Sequence, residues 1–253
     1  MKILLCGLCG HMGREVTRLT EAGFRGIETA AGVDPFADGS ETIPCARSFA
    51  EACPDVDCVL DFSHHSLTKE ITDFAVFNSL PLVIATTGQT EEEKGYIKKA
   101  SEKIPVFFAA NYSVGVALLI ELAKKTAAVF PEAEIEIIEK HHDRKIDAPS
   151  GTALAIASAL TEVRENAFIV CGRSGHGKRT PEEIGIHAVR MGNIAGVHEV
   201  IVGTPNQTIT LKHEAHSRTL FAEGALAAVE FIAGKVPGMY DMRSMLKTNG
   251  SEE

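Results

Sequence analysis

No uninterrupted apolar stretch in this chain approaches the roughly 20 residues needed to cross a bilayer, so no membrane-spanning helix is read from it. The opening MKILLCGLCGHMGRE carries a short apolar run that breaks into glycines and lacks a small-residue cleavage site. It reads as a strand and turn rather than a signal peptide, and a cytoplasmic location is expected. Basic residues are not in excess: Lys and Arg number 25 against 34 Asp and Glu, a formal net charge of -9. That balance argues against a nucleic-acid partner, which requires clustered cations, while leaving room for a locally basic pocket. The six cysteines (Cys6, Cys9, Cys45, Cys53, Cys58, Cys171) lack the paired spacings of a zinc site or a disulfide framework and read as reduced thiols. Cys6 and Cys9 match C-x-x-C, but Cys6 closes an apolar run and Cys9 falls in a glycine turn, which disfavours a redox pair. No internal repeat and no low-complexity linker interrupts the chain; only the tail TNGSEE reads as disordered.

What is present is a regular alternation. Strand-like segments at 2–7, 27–34, 57–62, 81–87 and 104–111 alternate with helix-like ones, including 66–79 and 91–103 and a short helix over 48–53. Five strands with intervening helices predict an α/β fold, a doubly wound parallel sheet of dinucleotide-binding type. After a long apolar helix over 114–130 the pattern changes. Strands at 134–142, 168–172, 184–191, 198–203 and 207–215 follow with a single helix (152–160) among them, and the last two form a hairpin around TPN. A second α+β domain with a mixed or antiparallel sheet is expected. The predicted division is 1–112 for the dinucleotide domain, completed by the final helix and tail (219–253), and 113–218 for a substrate-binding and tetramerisation domain.

The first chemical motif is GLCGHMG (7–13), set directly after a strand and before a helix. Glycines there let the backbone turn tightly and approach a pyrophosphate, which sits on the free N–H groups of the helix start. Cys9 stands where the usual G-x-G-x-x-G has its second glycine. Asp34 ends the next strand, where a carboxylate accepts hydrogen bonds from an adenosine ribose. It is followed by PFADGSE, without an adjacent base for a 2'-phosphate, so NADH is expected over NADPH unless Arg47 folds back. The strand exits ATTG (85–88) and AANYS (109–113) carry the small and amide residues that let a nicotinamide ribose approach.

The second motif is HHDRK (141–145). If the strand stays extended, His141 and Asp143 face one side and His142 and Arg144 the other, so the two histidines cannot share a metal; no H-E-x-x-H helix is present either. The histidines read instead as a proton donor and a hydrogen-bonding partner near neutral pH, with Lys145 as an added ammonium. DAPSGTA follows, where Ser150 or Thr152 caps a helix and Gly151 bares backbone N–H groups suited to a carboxylate.

EKHHDRKIDAPSGTA closely resembles the E-x-H-H-x-x-K-x-D-A-P-S-G-T-A signature of the 4-hydroxy-tetrahydrodipicolinate reductase family of lysine biosynthesis. GLCGHMGR, CVLDFS, ATTGQT, FAANYSVGV, HSRTLFAEGA and MYDMRSML extend the resemblance over nearly the whole chain. It implies a two-domain homotetramer that reduces a cyclic dicarboxylate with NADH or NADPH after loss of a 4-hydroxyl as water. It further implies His141 as proton donor and acceptor and Lys145 as proton donor, with His142, Gly151 and Thr152 at the substrate. Gly7, Leu8, Cys9, Gly10, His11, Met12, Asp34, Ala85, Thr86, Thr87, Ala109, Ala110, Asn111 and Tyr112 match the cofactor contacts. Two positions depart from the pattern: Ala85 replaces a common glycine, and Tyr112 stands where Phe is frequent.

Overall fold

A computed structural model describes residues 1–52 and 55–248, the last without its side chain, and divides the chain into two compact units. Met1–Tyr112 with Thr219–Glu253 form the first, and Ser113–Arg218 the second. Cys53 and the tail beyond Thr248 lie outside the described residues.

The first unit is built on seven parallel strands: β1 (Lys2–Cys6), β2 (Glu28–Val33), β3 (Cys45–Ala46), β4 (Cys58–Asp61), β5 (Leu82–Ile84), β6 (Pro105–Phe108) and β12 (Gly238–Tyr240). Their order, β12-β6-β5-β4-β1-β2-β3, puts a topological switch between β1 and β4, the Rossmann arrangement. Both are buried along their length except at Lys2, which is why KILLC and CVLD read as apolar runs without alternation. Helices α1 (His11–Glu21) and α6 (Thr219–Ile232) pack on each other, as do α2 (Thr68–Phe77) and α3 (Glu91–Ser101). α3 starts in a capping box, Thr90 accepting from the Glu93 N–H while the Glu93 carboxylate accepts from the Thr90 N–H.

Three features depart from the expectation. The segment around 48–52 forms turns instead of a helix, and the two-residue strand β3 was not anticipated. Beyond α6 the chain adds β12 to the sheet edge beside β6, then the short helix α7 (Met242–Thr248). Neither short element has enough residues to show a period.

The second unit carries a five-stranded sheet, β11-β10-β7-β9-β8, formed by β7 (Glu134–His141), β8 (Phe168–Cys171), β9 (Glu183–Arg190), β10 (Gly196–Thr204) and β11 (Gln207–Ala215). β8 and β7 run parallel to β9, and β10 runs antiparallel to β7 and β11. Helices α4 (Val114–Val129) and α5 (Gly151–Thr161) pack together over one face, burying Leu119, Ile135, Ile137, Ile156, Leu160, Ile186 and Val200. In β7 the inward residues are Ile135, Ile137, Glu139 and His141, so the alternation changes from core to chemistry midway along one strand.

Some glycines of the first unit sit in close backbone contact. A Cβ on Gly13 would fall 2.1 Å from the Gly7 carbonyl oxygen, and one on Gly224 would fall 1.7 Å from that of Tyr112. Gly224→Ala is therefore expected to destabilise the fold by about 1–3 kcal/mol, read as a lower urea midpoint with an unchanged slope. An unchanged midpoint would contradict that tight seat of α6.

Candidate active site

In the first unit the residues expected to hold a cofactor lie at the carboxyl ends of β1, β2, β5 and β6. Gly7 has φ +82°, and a Cβ there would press to 2.5 Å from the Phe62 carbonyl oxygen. Gly10 caps α1 without a side-chain acceptor, leaving the first N–H groups at His11 and Met12 without a capping side chain. Leu8 turns its side chain into the core beside Gly32, so only its backbone faces the turn. Asp34, almost wholly buried, accepts from the Cys9 N–H through Oδ2 and from the Phe36 N–H through Oδ1, both at 2.9 Å. That carboxylate ties the end of β2 to the glycine turn.

A cavity of about 470 Å³ opens here, lined by Gly7, Gly10, Asp34, Phe36, Phe62 and Leu67 among others. Its backbone donors, buried carboxylate and apolar walls fit the adenosine diphosphate half of a dinucleotide. Arg14 also lines it, and the Arg47 guanidinium reaches the Pro35 carbonyl at 3.5 Å. Burial, with Asp34 and Glu41 nearby, pushes the Cys9 thiol up to about 12, and burial raises Cys6 as well. Both are protonated thiols at neutral pH, not a reactive pair.

At the exits of β5 and β6, Thr87 is exposed, Ala85 and Thr86 are buried, and Ala109 and Asn111 are half-buried with Ala110 exposed. Asp61, which the sequence reading passed over, organises this edge. Its carbonyl accepts from the N–H groups of Ala85 (2.9 Å) and Thr86 (3.1 Å), and its Oδ1 accepts from Ser63 N–H (2.8 Å) and Oγ–H (2.5 Å). Burial raises its carboxyl above the ordinary range, against the opposing pull of Ser63. Tyr112 is a partial correction: its ring lies in the core, with the hydroxyl donating to the Ile84 carbonyl at 2.8 Å. Only its backbone remains for a ligand.

In the second unit β7 ends at His141, and Asp143 and Arg144 sit in a turn, so the extended alternation stops before them. His142 N–H donates to the Ile194 carbonyl at 2.8 Å and the His141 carbonyl accepts from Met191 N–H at 3.0 Å, which fixes the backbone at the end of β7. His141 is 9% exposed, and its Nδ1 lies 2.6 Å from Glu139 Oε2. Glu139, with no exposed surface, also takes both Arg190 guanidinium nitrogens (2.6 and 2.8 Å) and the Ser150 N–H (2.9 Å). Burial alone would raise the Glu139 carboxyl; the hydrogen bonds from Arg190, His141 and Ser150 hold it below the ordinary carboxylate value.

Ser150 caps α5, accepting from Ala153 N–H at 3.2 Å, and its Oγ meets His198 Nε2 at 3.0 Å. A Cβ on Gly151 would meet no atom within 4 Å, so open space lies at the start of α5 beside Thr152. Lys145 pairs with Asp147 at 2.8 Å. His142 is lowered by burial and by the charges of Arg144, Arg218, His141 and Lys145. Cations therefore crowd this loop, as an anionic ligand requires. Glu139, Arg190 and His198 are the residues the sequence reading missed. Glu139 was legible only as the first letter of the signature, while Arg190 and His198 come from strands with no local motif. Among the described residues no His, Cys, Asp and Glu cluster has the geometry of a metal site, and no helix is long and apolar enough to cross a membrane.

Two family profiles cover the chain, "Dihydrodipicolinate reductase, N-terminus" over residues 1–112 and "Dihydrodipicolinate reductase, C-terminus" over 115–246. The chain belongs to the dihydrodipicolinate reductase family. Relatives named 4-hydroxy-tetrahydrodipicolinate reductase from Clostridium tetani and from Caldanaerobacter subterraneus are each 42% identical, with 98% of both chains covered. A dipicolinate-bound dihydrodipicolinate reductase from Paenisporosarcina sp. TG-14 superposes with a TM-score of 0.80 at 26% identity, covering 95% of this chain and 97% of that one. A probable dehydrogenase from Thermotoga maritima, at 9% identity and a TM-score of 0.66, shares the fold alone. This member of the dihydrodipicolinate reductase family is thus an oxidoreductase of lysine and diaminopimelate synthesis, using a nicotinamide nucleotide on a dicarboxylate substrate.

One consequence is measurable without substrate. Burial, with the charge of His141 next, pushes His198 down to about 4. The unfolded chain binds that proton at an ordinary imidazole value of about 6.5, so in the window between the two it holds more protons than the folded one. Stability is expected to fall as pH drops through that window, by up to about 1.4 kcal/mol per pH unit from this group. His198→Gln should flatten the slope in urea titrations, and an equally steep slope in the variant would exclude His198 as its source.

Proposed function

We propose that this chain reduces 4-hydroxy-tetrahydrodipicolinate, with loss of water, through His141 and Lys145 as its proton-transfer groups. The observation that carries the reading is His141 Nδ1 held on a buried carboxylate, one short loop from an open, capped helix start. A nicotinamide nucleotide supplies the hydride when bound. Hydride addition to the conjugated ring pushes electron density to a neighbouring position, where a proton must be delivered. On this reading His141 gives it from Nε2, which has no hydrogen-bond partner in the protein among the described residues. Loss of water also needs a ring C–H proton removed, which His141 takes before returning it, and the departing 4-hydroxyl protonated, which Lys145, steadied by Asp147, does before recovering its proton from solvent. The start of α5 at Gly151 and Thr152, held by the buried Ser150, seats one carboxylate in exchange for the Asp147 contact with the Gly151 N–H; His142 and the positive charge of Arg218 and Arg144 favour the other. Dipicolinate bound to the Paenisporosarcina enzyme is a planar dicarboxylate of the same class.

On this reading Met1–Tyr112 with Thr219–Glu253 is the dinucleotide unit and Ser113–Arg218 the substrate unit. NADH is the preferred cofactor, because Asp34 stands at the ribose position and Asp38 and Glu41 follow it with charge of the wrong sign for a 2'-phosphate. Arg47 over Pro35, and Arg14, give NADPH a weaker foothold. Homotetramer formation is assigned to the sheet face opposite α4 and α5, where Ile138, Val189 and Ile201 are half-buried. A cytoplasmic location follows from the same reading of the pathway.

With freshly generated substrate the enzyme is expected to oxidise NADH, and His141→Gln or Lys145→Ala should lower kcat by about 10²-fold or more with the Kd for NADH unchanged. Wild-type turnover in both variants would refute the role assignment. Run in parallel with NADPH, kcat/KM should be higher for NADH, and Arg47→Ala should depress only the NADPH value; a strong NADPH preference would overturn the cofactor reading. Light scattering should give four times the chain mass, falling for Ile201→Asp; a monomeric wild type would exclude the tetramer.

A further inference from the structure

Four donors converge on Glu139: two guanidinium N–H groups of Arg190, the backbone N–H of Ser150, and Nδ1 of His141. An ionised carboxylate carries no hydrogen of its own, so the proton in the 2.6 Å contact between Oε2 and Nδ1 belongs to the imidazole. We propose that Glu139 is a positioning residue: it holds neutral His141 as the Nδ1–H tautomer, so that Nε2 is the atom that takes and returns the proton, while Arg190 keeps Glu139 ionised.

This inference deepens the reading of His141 as a proton-transfer group and rests on it. The geometry carries it in three steps. First, Arg190 binds Glu139 through both nitrogens, the fork geometry that matches a carboxylate, and its NH2 also donates to the Asp147 carbonyl at 2.7 Å. The fork therefore has fixed ends on both sides. Second, the Ser150 N–H is a backbone donor with no alternative protonation state, so Oε1 must remain an acceptor. Oε2 is then the oxygen that faces His141. Third, the wall around the ring offers Nδ1 no rival: His198 stands edge-on to His141 with ring centroids 5.2 Å apart and spends its Nε2 on Ser150 Oγ. On the other edge, a Cβ at Gly196 would lie 3.2 Å from His141 Nε2, so the glycine leaves that atom room. The charged and titratable groups facing this assembly are Arg190 from β9, His198 from β10, and His142 and Lys145 from the loop. Glu139 supplies the negative charge in direct contact with the ring.

An amide at position 139 cannot satisfy the same four donors. With its oxygen kept on the Ser150 N–H, its NH2 points at His141, which must then offer a lone pair at Nδ1 and carry its proton on Nε2. In a carboxylate–histidine pair of this type, the wrong tautomer lowers kcat by about 10⁴-fold.

The test is the 15N spectrum of ring-labelled His141, assigned with His141→Gln and recorded at about pH 9, above the ordinary imidazole value. Wild type should show a protonated Nδ1 and an unprotonated Nε2; a protonated Nε2 would overturn the proposal without Glu139→Gln having to fold. Glu139→Gln should invert the tautomer and lower kcat by about 10²- to 10⁴-fold, leaving the KM for NADH unchanged. A merely structural role for Glu139 predicts a lower melting temperature with the tautomer retained, and that result, or kcat within twofold of wild type, would refute it. If His141→Gln itself keeps full turnover while the wild-type ring shows Nδ1–H, the proton-transfer reading fails and the hold of Glu139 on the ring does not.

Discussion

The second unit depends on one charge that has no access to water. Glu139 sits inside a sheet on the same buried face as Ile135 and Ile137, and an isolated carboxylate there would cost several kcal/mol. Arg190 offsets that cost with a two-pronged ion pair, Ser150 adds a backbone donor, and His141 completes the set. Each partner comes from a different element: β9, the start of α5 and the end of β7. The same contacts that make the buried charge tolerable therefore fix the relative positions of the strand end, the helix cap and the imidazole. Structure and chemistry are served by a single set of hydrogen bonds, and the site is rigid because its charge could not otherwise be buried.

The first unit reaches its geometry by the opposite means, through the absence of side chains. Gly7 and Gly13 occupy places where a methyl group would overlap a backbone oxygen, so α1 starts hard against the end of β1. The turn between them is then closed by Asp34, whose carboxylate accepts from Cys9 and Phe36. A carboxylate so held retains lone pairs for a ribose, since each oxygen accepts only one of these protein hydrogen bonds. Cys9 in place of a glycine is accommodated because its N–H, and not its side chain, performs the contact with Asp34. The same economy recurs at Gly224, where α6 comes against the Tyr112 carbonyl.

The local signals in the sequence were those with a short range. Apolar runs marked the central strands, alternation marked β7, β10 and β11, and glycine spacing marked the turn after β1, because each reflects contacts made within a few residues. The dense loop from His141 to Gly151 was legible for the same reason, as was its resemblance to a family whose profiles cover both units. Short edge elements such as β3 and β12 were not, since two or three residues carry no period and exist only because a neighbouring strand offers free hydrogen-bonding groups.

By itself the sequence determined which residue types were available: a glycine turn with an acid one strand later, and two histidines and a lysine beside a capped helix. The tertiary structure decided which of them meet. Arg190 lies 51 residues from Glu139 and His198 lies 48 from Ser150, yet both pairs are in direct hydrogen-bond contact. Strand register brings Arg190 opposite His141 and His198 opposite Glu139, and the packing of α5 on the sheet adds Ser150, its N-cap. Register is a property of two strands together, fixed by the burial of both apolar faces, and no single segment encodes it.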